Sequence, residues 1–129
     1  MNNLDKESVI GISALLVHAT NIDEIYSEHE KDLILNFIKS YLTNIDANEI
    51  LKKAESIEKN SNQLLNYTNI IKKNSIDLKK DIIEHLWKVI ISDNSVDQYE
   101  ANLMRRICGL IYFPDKECAE IKLRLMNSK

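Results

Sequence analysis

Four carboxylates stand out by type and spacing. Asp23 and Glu30 are seven residues apart, and so are Asp93 and Glu100. Hard divalent cations such as calcium, magnesium or manganese take several carboxylate oxygens, and zinc accepts carboxylates in mixed sites. Asp23, Glu30, Asp93 and Glu100, gathered at one place, would supply such a shell, and they form the candidate metal set. A structural role competes at every position. Ser27-x-x-Glu30 and Asp97-x-x-Glu100 read as capping boxes, in which the Glu reaches back to a free backbone N–H. Asp23 and Asp93 can close their loops as Asx-turns. Asp93, Ser95 and Asp97 also mimic the opening of an EF-hand loop. Gln98 stands where its glycine belongs and Met104 where its bidentate glutamate belongs, which removes that reading.

The other reactive residues offer less. His29, between Glu28 and Glu30, could join a transition-metal site, but a solvated histidine at a helix start is the stronger reading. His18 and His85 fall within helices and have no assigned role. Cys108 and Cys118 are ten apart, in neither a disulfide framework nor a zinc pattern. They read as reduced thiols of a cytosolic protein, with Cys108 serving as a small buried hydrophobe. Trp87 sits beside an apolar stripe and reads as core. Lys72-Lys73 and Lys79-Lys80 could touch anionic lipid or a phosphate backbone. Their interleaving with Asp77, Asp81 and Glu84 reads more simply as a solvated face.

The elements that must position these residues are helices. The first runs from a cap at Asp5 to about Asn21, with Val9, Ile12, Leu16 and Ala19 on one face. A second opens at Ser27 and carries Leu33, Ile34, Phe37, Ile38 and Tyr41. A third begins near Asp46, with Ile50, Leu51, Ala54 and Ile57 inward. A short fourth carries Leu64, Leu65, Tyr67 and Ile71. The fifth, about Ile76–Ile91, has the clearest stripe: Leu78, Ile82, Leu86, Val89 and Ile90, widened by Ile83 and Trp87. The sixth opens at Asp97 and turns Met104, Ile107, Cys108 and Ile111 inward. Pro114 stops it, and Asp115 can cap a seventh with Cys118, Ile121 and Leu125. The chain also repeats. A shift of seventy residues without a gap sets Ile12 on Ile82, Leu16 on Leu86, Asp23 on Asp93, Tyr26 on Val96, Glu30 on Glu100 and Leu33 on Leu103.

With 129 residues, 44% hydrophobic and 29% charged, the chain suits one globular domain over residues 1–129. Two glycines and one proline leave little room for tight β-turns. A net charge of −3 gives no general attraction to nucleic acid. The polar start, MNNLDKES, shows no signal peptide, and no apolar run is long enough to span a bilayer. The expectation is an all-α bundle of about seven short helices with an internal helix–loop–helix repeat, its halves related by a pseudo-two-fold.

At the two acidic loops and Leu86-Trp87-Lys88-Val89, the chain resembles the TerB-like family of bacterial tellurite-resistance proteins. That family pattern is a helix ending in Ala-Asp-Gly, then a Glu opening the next helix, present twice. Asp93 with Glu100 and Asp23 with Glu30 match it. Ser92 and Ile22 replace the usual Ala, and Asn94 and Glu24 the usual Gly. Asn94 tolerates a left-handed backbone, whereas Glu24 implies a differently shaped first loop. The resemblance implies a compact helical protein, cytoplasmic or peripheral at the inner membrane face. It implies links to metal or oxyanion stress, a protein partner that is membrane-associated in some assemblies, and a divalent cation (calcium, manganese or zinc) held where the acidic loops meet.

The leading functional expectation is therefore a non-enzymatic helical module that binds a protein partner, with or without a divalent cation, in a bacterial stress response. The alternative is a metal-binding protein whose ion is its main function. An enzyme stands third, because the sequence offers no nucleophile–base pair and no phosphate loop. No catalytic residue, required cofactor or nucleic-acid partner is expected.

Overall fold

A computed structural model describes residues 5–20, 28–43, 45–60, 64–91 and 98–127, the side chains of 64–67 and 98–100 excepted. Those residues form seven α-helices and no strand: α1 (Lys6–Thr20), α2 (Glu28–Tyr41), α3 (Ala47–Asn60), α4 (Leu64–Lys72), α5 (Ile76–Ile91), α6 (Gln98–Leu110) and α7 (Asp115–Asn127). The all-α class expected from the sequence is the class observed.

The described starts follow local capping chemistry. The Ser8 N–H donates to Asp5 Oδ1 at 2.8 Å, the Asn48 N–H to Asp46 Oδ1 at 3.0 Å, and the Leu78 N–H to Ser75 Oγ at 3.3 Å. Each side-chain oxygen satisfies a backbone donor that has no partner inside its own helix. The expected cap at Asp115 is corrected. Asp115 is the first helical residue, and the Pro114 carbonyl accepts the first bond, from the Cys118 N–H at 3.1 Å. Asp115 and Glu117 instead place negative charge at the positive end of the α7 dipole. The turn before Pro114 is a Schellman closure. The Phe113 N–H donates to the Cys108 carbonyl at 2.8 Å, the Tyr112 N–H to the Gly109 carbonyl at 3.4 Å, and Tyr112 takes a left-handed φ of 59°.

Helix α1 lies at the centre, packed against α2, α3, α4 and α5. The sequence stripe assigned it one buried face. It is in fact buried nearly all round, with Ser13, Ala14, Leu15 and Val17 enclosed beside Val9, Ile12, Leu16 and Ala19. A helix covered on every side needs apolar or small residues on every side. Gly11 serves one of those contacts: a Cβ there would come within 2.7 Å of Ile70 Cδ1, so its absence lets α4 approach.

Phe37, Ile38, Ile82, Leu86, Trp87, Ile107 and Ile111 are buried as expected. Ile57 is not: it is 40% exposed. The buried face of α3 runs through Ala47, Ile50, Leu51 and Ala54, and Ile57 continues the outer edge of that face, in line with Ile50, at the last turn of the helix. The Glu58 carboxylate instead meets His18 Nδ1 at 3.3 Å, tying α3 to α1.

The seventy-residue repeat reappears in the helix boundaries. Lys6 and Ile76 open α1 and α5, and Glu28 and Gln98 open α2 and α6. Equivalent pairs share their burial: Ile12 with Ile82, Leu16 with Leu86, Phe37 with Ile107, and Ile38 with Cys108. The packing is only partly parallel. Helices α1 with α3 and α5 with α7 pack in corresponding fashion, whereas α2 packs on both α1 and α5.

Candidate functional site

Of the four expected metal ligands, Glu30 is the one whose side chain is described. It lies in the first turn of α2, is 7% exposed, and is engaged by a neighbouring group. The backbone of Glu100 lies in the first turn of α6, and its side chain falls outside the described residues, as do Asp23 and Asp93. Ser27 and Asp97 of the two capping boxes, and the expected approach of segments 23–30 and 93–100, fall there too. Among the described residues, no group of three or more His, Cys, Asp or Glu side chains is arranged to hold a metal. His29 is exposed at the start of α2, as a solvated histidine would be.

A second set of groups lines a cleft of about 510 Å³ beside α2, α5 and α7. The Tyr41 hydroxyl donates to the Asp81 carboxylate. His85 Nδ1 lies 2.8 Å from the Asp81 carbonyl oxygen. A carbonyl only accepts, so Nδ1 of the neutral ring carries the proton and Nε2 the lone pair. The Phe37 ring meets His85 nearly edge-on at 5.1 Å. Across the cleft, Arg124 of α7 pairs with Glu84 of α5. Burial, reinforced by Asp81, pushes the Tyr41 pKa well above its ordinary value, so the phenol stays protonated. These groups partner one another across three helices and read as cross-ties rather than as an acid–base pair facing a substrate. The sequence reading placed Asp81 and Glu84 on a solvated face and gave His85 no role. Both acids are half-buried and bonded. The available signal was Asp81 with His85 at helical i,i+4 spacing.

The third constellation was missed because its members come from three helices. Cys108 of α6 and Cys118 of α7 are both free and buried. The Trp87 indole N–H of α5 donates to Cys118 Sγ at 3.3 Å. Lys122 Nζ stands 5.6 Å from the centre of the Trp87 ring. Cys118 lines a cleft of about 520 Å³ with Trp87, Met104, Arg105, Asp115 and Lys122. Cys108, the indole donor and Lys122 hold the Cys118 pKa below the ordinary thiol value, against burial and Asp115. Cys108 is shifted upward by Cys118 and by burial. Both cysteines do serve as small core residues, as expected. The short turn through Pro114 is the sequence signal that could have paired them, since it folds α7 back beside α6.

Compared with known proteins, residues 10–123 match the family model described as Tellurite resistance protein TerB. No curated protein and no solved structure matches the chain.

Proposed function

Since the chain belongs to the TerB family of tellurite resistance proteins, we propose that it is a non-enzymatic helical module that binds a protein partner and a divalent cation in a bacterial stress response. The cation is calcium, manganese or zinc, held by Asp23, Glu30, Asp93 and Glu100. The observation that carries this reading is the equivalent placement of Glu30 and Glu100, seventy residues apart and each in the first turn of its helix. A divalent cation takes several carboxylate oxygens, and each half of the repeat offers one Asp and one Glu. The family match spans both acidic segments, which favours reading them as one device.

Leu123 and Met126, exposed apolar side chains three residues apart on α7, support partner binding. Among the described residues, no helix is long and apolar enough to cross a membrane. The proposed setting is the cytoplasm or the inner membrane face, where the partner sits.

Calorimetric titration of the purified chain with calcium, magnesium, manganese and zinc tests the cation reading. Saturable binding of at least one ion is expected. Absence of heat with all four would leave the carboxylates as helix caps.

A further inference from the structure

The cleft among α5, α6 and α7 has the make-up of a small-molecule site, and its chemistry is separate from that of the acidic segments. Its volume, about 520 Å³, falls within the range of pockets that take small organic ligands. Its base is apolar. The Trp87 ring and the Met104 thioether, 4% and 1% exposed, line it together with the buried Cys118. The Trp87 indole N–H is already donated to Cys118 Sγ at 3.3 Å, so the ring brings no free donor to the base. Ala101 of α6, half-buried, and Ala119 of α7, exposed, line the cleft nearer its mouth. Both side chains stop at Cβ and leave the space between the two helices open.

The charged groups are unevenly matched. Arg105, Lys122 and Asp115 complete the lining. Among the described residues none of the three forms an ion pair. Lys122 Nζ instead stands 5.6 Å from the centre of the Trp87 ring, and that cation–π contact holds an ammonium at the cleft before any ligand arrives. Two cations against one carboxylate give the cleft an excess of positive charge, on a chain whose net charge is −3. A guanidinium fork matches a carboxylate with two parallel hydrogen bonds, and an ammonium beside it adds a second charge. At the base, a thioether and an indole both favour contact with an aromatic ring. A rigid ring also loses little conformational freedom on binding.

We propose that this cleft binds a small aromatic monocarboxylate, its ring against Trp87 and Met104 between Ala101 and Ala119, and its carboxylate held by Arg105 and Lys122. Asp115 is the opposing group, and it disfavours a ligand of higher negative charge.

Trp87 is the single tryptophan of the chain, so its indole N–H gives one cross-peak in a proton–nitrogen correlation spectrum and reports on this cleft. The full chain is titrated with 2-naphthoate and, separately, with its neutral isostere 2-naphthamide. The expected result is a saturable shift of the indole cross-peak with 2-naphthoate, with an affinity about tenfold or more above that for the amide. Arg105→Ala with Lys122→Ala should remove that preference and leave the weak binding of 2-naphthamide unchanged. Backbone cross-peaks outside the cleft report whether the double variant keeps its fold. No saturable shift with 2-naphthoate would overturn the proposal, as would equal affinity for the two probes. Binding of 2-naphthoate by the folded double variant at the wild-type affinity would do the same. The comparison of the two probes on the wild type decides by itself if the double variant fails to fold.

Discussion

The Tyr41 hydroxyl donates a hydrogen bond to the Asp81 carboxylate, fastening the last turn of α2 to α5. Tyr41→Phe keeps the ring and removes the bond, so it should cost about 1–2 kcal/mol in urea denaturation near neutral pH. The pH dependence has a definite sign. Burial and Asp81 raise the folded-state pKa of Tyr41 above its ordinary value of 10.0. The unfolded chain therefore loses this proton first as pH rises. The stabilisation is fully present below about pH 10 and declines above it. The stability gap between wild type and Tyr41→Phe should narrow when the denaturation is repeated on the alkaline side of that value. A gap that widens there would contradict the shift.

Ser13 is a defect at the centre of the core. Its Oγ is buried without a hydrogen-bond partner among the described residues, and the equivalent position in the second repeat is the buried Ile83. Removing the unpaired hydroxyl should be favourable, and alanine is also the better helix former. Ser13→Ala is expected to raise stability by about 1 kcal/mol. Loss of stability in chemical denaturation would mean that the hydroxyl is satisfied after all.

Leu86 is fully buried on α5, equivalent to Leu16 on α1. Leu86→Ala should cost roughly 2–5 kcal/mol by lost transfer energy and a residual cavity. A loss well below ~1 kcal/mol in the same denaturation experiment would show that the site collapses or is not core.

The helices and the repeat were legible because periodicity records which face of a segment meets apolar surroundings. The stripe through Ile82, Leu86 and Val89 is of that kind, and so is the match of Ile12 to Ile82. Periodicity does not record which helix lies opposite. That is why Tyr41 with Asp81, Glu84 with Arg124, and Trp87 with Cys118 were invisible as pairs, although each residue was in view. It also assigns a helix one face, and so it understated α1, which four neighbours enclose. Ile57 was misassigned because it lies at the edge of the α3 stripe, in its last turn. In the acidic segments, residue types alone favour caps over cation ligands without deciding between them, because a glutamate in a first helical turn suits both.

The most direct measurement on the cation reading is the melting temperature of wild type and the Glu30→Gln, Glu100→Gln double variant, each with calcium or manganese and with chelator. Glutamine still fits a capping box, so the double variant should fold with little loss of stability in chelator. An ion that binds only the folded state raises the melting temperature. The expected result is an ion-dependent rise in the wild type that disappears in the double variant. A wild type that melts at the same temperature with ion and with chelator, and a double variant equally stable, would contradict the reading and leave Glu30 and Glu100 as helix caps.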